Sequence, residues 1–285
     1  MIGERRAVHA GVGTRELFVD GDGPTIVLLH GFAHPADCWR PVLNRLAAVG
    51  QSAVAVDLPG FGAADPAAPG AWLPQGDHFV SEVISQHSNN GPVVLVGNSL
   101  GAFLTLRAAA APQRLPIRGV VATATPGGGW TPLARASLVG NGRLLAAAAA
   151  GVPKLLRVHG TDTVVSRLLY GDRTTMDAEL VRILSSQIHS RRGARELLEL
   201  GMRMRAEVDA GPPIAGVDCP TVFVHGRRDR IVALASSERY HKAIPHSWLV
   251  VLDQAGHCPQ LDAPDDIVGF ARGLAAGSPG QCRPA

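Results

Sequence analysis

Val93-Val94-Leu95-Val96-Gly97-Asn98-Ser99-Leu100-Gly101 is an apolar run that stops at a serine bracketed by glycines, and Ala102-Phe103-Leu104-Thr105-Leu106 continues it as a helical pattern that ends before Pro112. Four consecutive Val and Leu residues without polar alternation predict a strand buried on both faces. The turn behind that strand has the form G-x-S-x-G. A chain with 33 glycines meets this pattern by chance roughly 0.2 times, so its weight comes from its context. That context is strand, tight turn, helix. Glycines let the chain reverse where side chains would collide, and the serine hydroxyl is left at the carboxyl edge of a sheet.

Working outward, similar apolar runs stand at Thr25 to Leu29, Ala53 to Val56, Gly119 to Ala122, Thr221 to Val224 and Leu249 to Leu252. Helical spacing falls between them: Val42, Leu43 and Leu46 before Gly50, then Val80, Val83, Ile84 and His87 before Gly91-Pro92. Strand and helix alternate through residue 125, which predicts an α/β fold with a mostly parallel central sheet flanked by helices. From Pro126-Gly127-Gly128-Gly129 to Gly211-Pro212-Pro213 the alternation stops. Leu180, Val181, Leu184 and Ile188 share one helical face there, behind Asp177 as an N-cap. The expected organisation is a core of residues 1–125 and 212–285 with a helical cap, 126–211, inserted in it. The apolar run Leu144 to Pro153 is far short of the ~20 residues that span a bilayer and is expected to be a buried or lid helix. Gly277 to Ala285 is expected to fray.

Composition narrows the function classes. With 46% hydrophobic and 18% charged residues the chain is globular rather than disordered. A net charge of +3 argues for no nucleic-acid partner. Cys38, Cys219, Cys258 and Cys282 form no C-x-x-C pair, so reduced thiols are expected. The start of the chain lacks the apolar stretch of a secretory signal, so a cytoplasmic location is expected. No dinucleotide glycine fingerprint, P-loop or H-E-x-x-H occurs, which implies neither cofactor nor metal.

A serine hydroxyl is a poor nucleophile at neutral pH and needs a base, which in turn needs a carboxylate to fix its tautomer. His257, in Gly256-His257-Cys258-Pro259, follows the run ending at Leu252. Asp229 follows the run ending at Val224. Both therefore stand at the same sheet edge as Ser99. The plainer alternative for Asp229 is a surface pairing with Arg228 or Arg230. Acyl transfer also calls for two donors at the developing oxyanion. The backbone N–H of Leu100 is one, and that of Phe32 in His30-Gly31-Phe32 is the other; His30 itself is expected to order its loop. Arg191, Arg192, Arg195, Arg203 and Arg205, interleaved with Glu196, Glu199 and Glu207, read as a mixed-sign solvated face, with a clamp for a substrate carboxylate as the alternative. Trp39, Trp72 and Trp130 are assigned to packing.

His30-Gly31-Phe32, Asp57-Leu58-Pro59-Gly60-Phe61-Gly62, Gly97 to Gly101, Gly226 to Asp229 and Gly256-His257, in that order, resemble the α/β-hydrolase superfamily over about residues 14 to 274. The resemblance implies Ser99 as nucleophile, Asp229 as orienting acid, His257 as base, and Phe32 and Leu100 as oxyanion donors, under a cap. Asn98 is similar to the residue preceding the serine in meta-cleavage-product hydrolases, which break carbon–carbon bonds. Phe32-Ala33-His34-Pro35 and Cys258-Pro259-Gln260 depart from that group's Gly-Pro-Gly loop and its Trp after the histidine. The expectation is a serine hydrolase cleaving a carboxylic ester of a small to medium apolar substrate. Carbon–carbon hydrolysis of a vinylogous diketone comes second, and a non-catalytic ligand-binding protein on the same fold third. The expected partner is a small-molecule substrate, with no integral membrane segment and with homo-oligomers left open.

Overall fold

The computed structural model describes residues 1–134, 154–186, 189–211 and 214–277. The apolar run Leu144 to Pro153, Ile188, the Pro212-Pro213 boundary and the tail beyond residue 277 lie outside the described residues.

In chain order the elements are β1 (Gly3–His9), β2 (Val12–Val19), β3 (Asp22–Leu29), α1 (Arg40–Ala48), β4 (Gln51–Val56), α2 (Trp72–His87), β5 (Val93–Asn98), α3 (Leu100–Ala109) and β6 (Ile117–Thr123). Among the described residues after β6 stand the helices α4 (Lys154–Leu169), α5 (Ala178–Ser185) and α6 (Arg191–Ala210). The core resumes with β7 (Thr221–Gly226), α7 (Leu234–Ala243), β8 (Ser247–Leu252), α8 (Pro259–Asp262) and α9 (Pro264–Ala275). The eight strands form one sheet in the order β1-β2-β4-β3-β5-β6-β7-β8, parallel from β4 onward.

The continuous apolar runs have the two-sided burial they predict. Ile26, Leu28, Val94 and Val96 pack on one face of the sheet with Val42, Leu43 and Leu46 of α1 and Ile267 of α9. Their neighbours Val27, Leu29, Val93 and Leu95 pack on the other face with Phe79 and Val83 of α2 and Phe103 of α3. Successive strand residues point to opposite faces, and both faces are covered, so no polar alternation survives. Chain order reverses around β3: β4 lies on one side of it and β5 on the other. A crevice opens at the carboxyl ends of the strands at such a switch point, and ligands bind in it.

The strands β1 and β2, antiparallel to each other, with β2 also antiparallel to β4, were not among the expected elements. Gly3–His9 has a largely exposed, charged face that carries no apolar run. The turn Ala10-Gly11, with φ +51° and +78°, closes the hairpin.

This hairpin holds a buried charge. Glu16 of β2 receives Arg5 Nε at 2.7 Å on one carboxylate oxygen, while the other lies 2.8 Å from Nε2 of both His9 and His87. Burial alone would raise the Glu16 pKa, but hydrogen bonds from His87, His9 and Arg5 outweigh it and hold the carboxyl far below its ordinary range. A depressed carboxylate contributes stability above its unfolded pKa and loses that contribution as pH falls. Glu16→Gln is therefore expected to lower unfolding stability by about 3 kcal/mol at neutral pH. In urea titrations the gap from wild type should close progressively below the unfolded value of about 4.5.

The helices between β6 and β7 are a helical insertion over the carboxyl edge. Asp177 caps α5 as expected, accepting from Glu179 N at 2.8 Å and Leu180 N at 3.1 Å. Glu207 departs from its expected place on a solvated face. Its two carboxylate oxygens accept the backbone N–H groups of Trp72 and Leu73 at 2.9 and 2.8 Å. The first turn of α2 has no side-chain cap of its own, so a residue of the insertion supplies the anion that its unpaired N–H groups call for.

Candidate active site

The turn from β5 into α3 is as tight as its glycines imply. A Cβ on Gly97 would collide with the backbone of Gly101, and one on Gly101 with the carbonyl of Leu29. Ser99 between them sits at φ +53°, ψ −115°, a conformation that costs a non-glycine residue on the order of 1–3 kcal/mol. Hydrogen bonds on both sides hold it there, Ser99 N to Thr123 O at 2.9 Å and Phe103 N to Ser99 O at 3.0 Å. The residue is 9% exposed and faces a cavity of about 200 Å³.

His257 and Asp229 meet as expected. His257 Nδ1 lies 2.9 Å from Asp229 Oδ2, while Oδ1 accepts the backbone N–H groups of Ile231 and Val232 at 2.7 and 3.0 Å. The alternative surface pairing of Asp229 does not form: Arg228 bonds Gly171 O and Gln254, and Arg230 bonds Arg167 O. Burial alone would raise the Asp229 pKa; the charge and hydrogen bond of His257, the nearby His225 and the Ile231 N–H outweigh it, and the carboxyl is held below its usual range. An ionised carboxylate only accepts, so Nδ1 of His257 carries the proton and Nε2 is left bare in the neutral ring. His225, which the sequence did not single out, stands 3.6 Å from Asp229 Oδ2. Its Nε2–H donates to Val232 O, and burial lowers its pKa.

Ser99 and His257 line the same cavity, yet the Ser99 hydroxyl is not hydrogen-bonded to the ring in this structure. Phe32 and Leu100 line it too. A Cβ at Gly31 would touch Ser99 Cβ at 3.2 Å, so the loop after β3 runs directly beside the elbow. His30 orders that loop: Leu58 N–H donates to its Nε2 at 2.9 Å, which leaves Nδ1 protonated to donate to Gly31 O at 2.8 Å. With both nitrogens committed, His30 has none for proton transfer.

Asn98 is buried, and its amide nitrogen donates to Thr123 Oγ1 at 3.1 Å and to the His257 carbonyl at 2.9 Å. Cys258 is fully buried, with its Sγ 3.6 Å from Asn98 Oδ1 and its thiol pKa raised by burial, so it stays a protonated packing group.

The far wall of the cavity comes from the insertion and was not legible as such. Trp130, Met204, Arg205 and Val208 line it. Arg205 lies over the Trp130 ring at 4.9 Å and pairs with Asp209. The signal that would have found this wall is the spacing of Leu197, Leu200, Met204 and Val208, an apolar stripe on α6 otherwise masked by its arginines. Gly201 in that stripe lets the helix rest on Phe32, whose ring an added Cβ would meet at 3.0 Å.

Two other features stand outside this site. An open groove of about 900 Å³ runs past Pro74, Asp77 and Arg107, with Arg107 paired to Asp77. His9, Glu16 and His87 bring three possible metal ligands within 4.8 Å of one another, but Arg5 already balances the carboxylate charge.

A family model described as the alpha/beta hydrolase family matches residues 26–270. A pimeloyl-[acyl-carrier protein] methyl ester esterase of Xanthomonas oryzae pv. oryzae (strain MAFF 311018) is 31% identical over 87% of this chain and 94% of its own length. The 2-hydroxy-6-oxo-6-phenylhexa-2,4-dienoate hydrolase of Rhodococcus sp. strain RHA1 superposes with a TM-score of 0.76 at 25% identity, covering 96% of this chain and 98% of that one. A bacterial membrane phospholipase A shares the fold at a TM-score of 0.79 and 18% identity, covering 97% and 86%. The switch-point crevice, the strained serine turn and a family match across both the core and the insertion agree, and the chain belongs to the alpha/beta hydrolase family.

Proposed function

We propose that this hydrolase cleaves a carboxylic ester through an acyl-enzyme, with Ser99 as nucleophile, His257 as general base and Asp229 as the group that orients it. One observation carries the reading. His257 donates from Nδ1 to an ionised, doubly anchored carboxylate, and its ring lines the cavity that Ser99 faces. Substrate binding closes the remaining gap: catalytic hydrogen bonds are often long in a resting site and tighten in the complex. Ser99 Oγ then attacks the carbonyl as Nε2 takes its proton, and the imidazolium returns that proton to the departing alkoxide. Water, deprotonated by the same nitrogen, releases the acid. The backbone N–H groups of Phe32 and Leu100 receive the oxyanion, and the helical insertion acts as a cap that keeps bulk water from the acyl-enzyme.

The substrate class follows from the walls. Leu100, Leu169, Met204, Val208 and Ile231 make the cavity apolar, and its volume of about 200 Å³ is below the roughly 300–1,000 Å³ of drug-sized pockets. A short to medium acyl group fits. The similar Xanthomonas esterase is named for an ester borne on a carrier protein, so the acid portion can extend beyond the cavity to a larger carrier. Carbon–carbon hydrolysis is the second reading, favoured by the likeness to the Rhodococcus dienoate hydrolase; Asn98, the residue that pointed to it, gives its amide nitrogen to Thr123 and the His257 backbone.

A p-nitrophenyl ester series tests the proposal. Butyrate to octanoate should be turned over at least about tenfold faster, in kcat/KM, than hexadecanoate, because a sixteen-carbon chain overfills a cavity of about 200 Å³, and overpacking an apolar space costs about 1–3 kcal/mol. Bleaching of a ring-fission dienoate with no ester turnover would reverse the order of the two readings.

A further inference from the structure

His34 stands apart from the other polar groups around the cavity. His30, His225 and Asp229 each spend their polar atoms on named partners, and His257 spends Nδ1 on Asp229 and keeps Nε2 for the proposed proton transfer. Among the described residues, neither ring nitrogen of His34 has a hydrogen-bond partner, and its Nδ1 is completely buried. The residue is 5% exposed and lines the cavity with Ser99 and His257. Its place is fixed by the backbone: His34 N donates to Gly31 O at 3.2 Å, closing a turn in which Ala33 adopts φ +62°, and Pro35 follows.

Burial pushes the His34 pKa down to about 3, and His30 and His257 add to that shift. The ring is therefore a neutral imidazole with one donor and one acceptor, neither spent within the protein. Buried polar groups in native proteins are nearly always satisfied, and an unsatisfied one at a binding site is completed by what binds there. The side chains nearest in the cavity are mostly apolar, and Arg205 is already held by Asp209 and Trp130. The loop also places His34 two residues from Phe32, the proposed oxyanion donor, on the wall of the same cavity.

We infer that His34 is a specificity-determining residue whose neutral imidazole hydrogen-bonds a hydroxyl group of the substrate next to the scissile ester. A hydroxyl fits either tautomer, because it can donate to the bare nitrogen or accept from the protonated one. The inference rests on the ester-hydrolase reading and deepens it: the preferred substrates are hydroxylated esters, with the hydroxyl on the acyl or the alcohol side. A site built to bond a hydroxyl rejects the analogue lacking it far more strongly than an apolar pocket discriminates by size.

The test is a ratio of kcat/KM, hydroxylated over plain, for methyl 3-hydroxybutyrate against methyl butyrate and for 2-hydroxyethyl butyrate against ethyl butyrate. These pairs separate the acyl side from the alcohol side. Wild type should favour the hydroxylated member of one pair, and His34→Leu should lower that ratio by at least about tenfold, mostly through KM. His34→Gln, which keeps a donor and an acceptor, should retain part of the preference, and His34→Phe serves as the apolar variant if the leucine chain does not fold. Ratios equal in wild type and the apolar variant, or a glutamine variant no better than the leucine one, overturn the inference and leave the esterase reading standing. No turnover of any ester by wild type overturns both.

Discussion

Ser99→Ala is expected to lower kcat by about 10⁴-fold or more, with the folded structure intact, and to abolish labelling by a fluorophosphonate probe. The size follows from what is lost. Without Oγ no acyl-enzyme forms, and only the oxyanion donors and substrate positioning remain to assist direct attack by water. The fold should tolerate the change well. Among the described residues the Ser99 hydroxyl makes no hydrogen bond, and the strained backbone at φ +53° is held by main-chain bonds that alanine keeps. Circular dichroism and a thermal melt should therefore match wild type. Undiminished turnover or labelling in this variant would remove Ser99 from the chemistry.

Asp229→Asn is expected to cost about 10⁴-fold in kcat, through a route readable in the hydrogen bonds. In the native site Oδ1 accepts two backbone N–H groups, from Ile231 and Val232, and Oδ2 accepts His257 Nδ1–H. An asparagine has only one oxygen to offer. Two fixed donors outcompete one, so the oxygen turns to the backbone and the NH₂ faces the ring. His257 must then present a bare Nδ1 and carry its proton on Nε2, the nitrogen proposed to take the proton from Ser99. The loss should fall on kcat with KM little changed, since neither atom contacts the apolar walls. Asp229→Ala leaves the backbone donors unpartnered and should add a fall in thermal stability that asparagine does not show.

Most of the fold was legible because its signals were local. The strand through Val93 to Val96 and its parallel neighbours announce themselves by lacking alternation, a direct result of burial on both faces. Ser99, Asp229 and His257 each follow such a strand, so one geometric rule brings all three to one edge. The hairpin β1–β2 was silent because its outer face is charged and its pairing partner is distant in the chain. Glu207 and Arg205 were misread for a related reason. On α6 a charged side chain looks solvated unless the structure beneath it is known, and the N-terminus of α2 and the ring of Trp130 lie more than 70 residues away. His34 was quoted only as a departure from a motif, since its isolation from partners exists in space and not in sequence.

The amide of Asn98 joins pieces of chain that are remote in sequence: one hydrogen bond ties the residue preceding the proposed nucleophile to the main chain of the proposed base, His257. Elbow and imidazole loop are thus bolted to a common chassis. An engineer seeking new substrate preference should leave this position alone and work on the roof supplied by α6. A substitution at 98 would slip the alignment of base and hydroxyl for every substrate alike, whereas changes along Met204 and Val208 would reshape the chamber and leave the machinery in register.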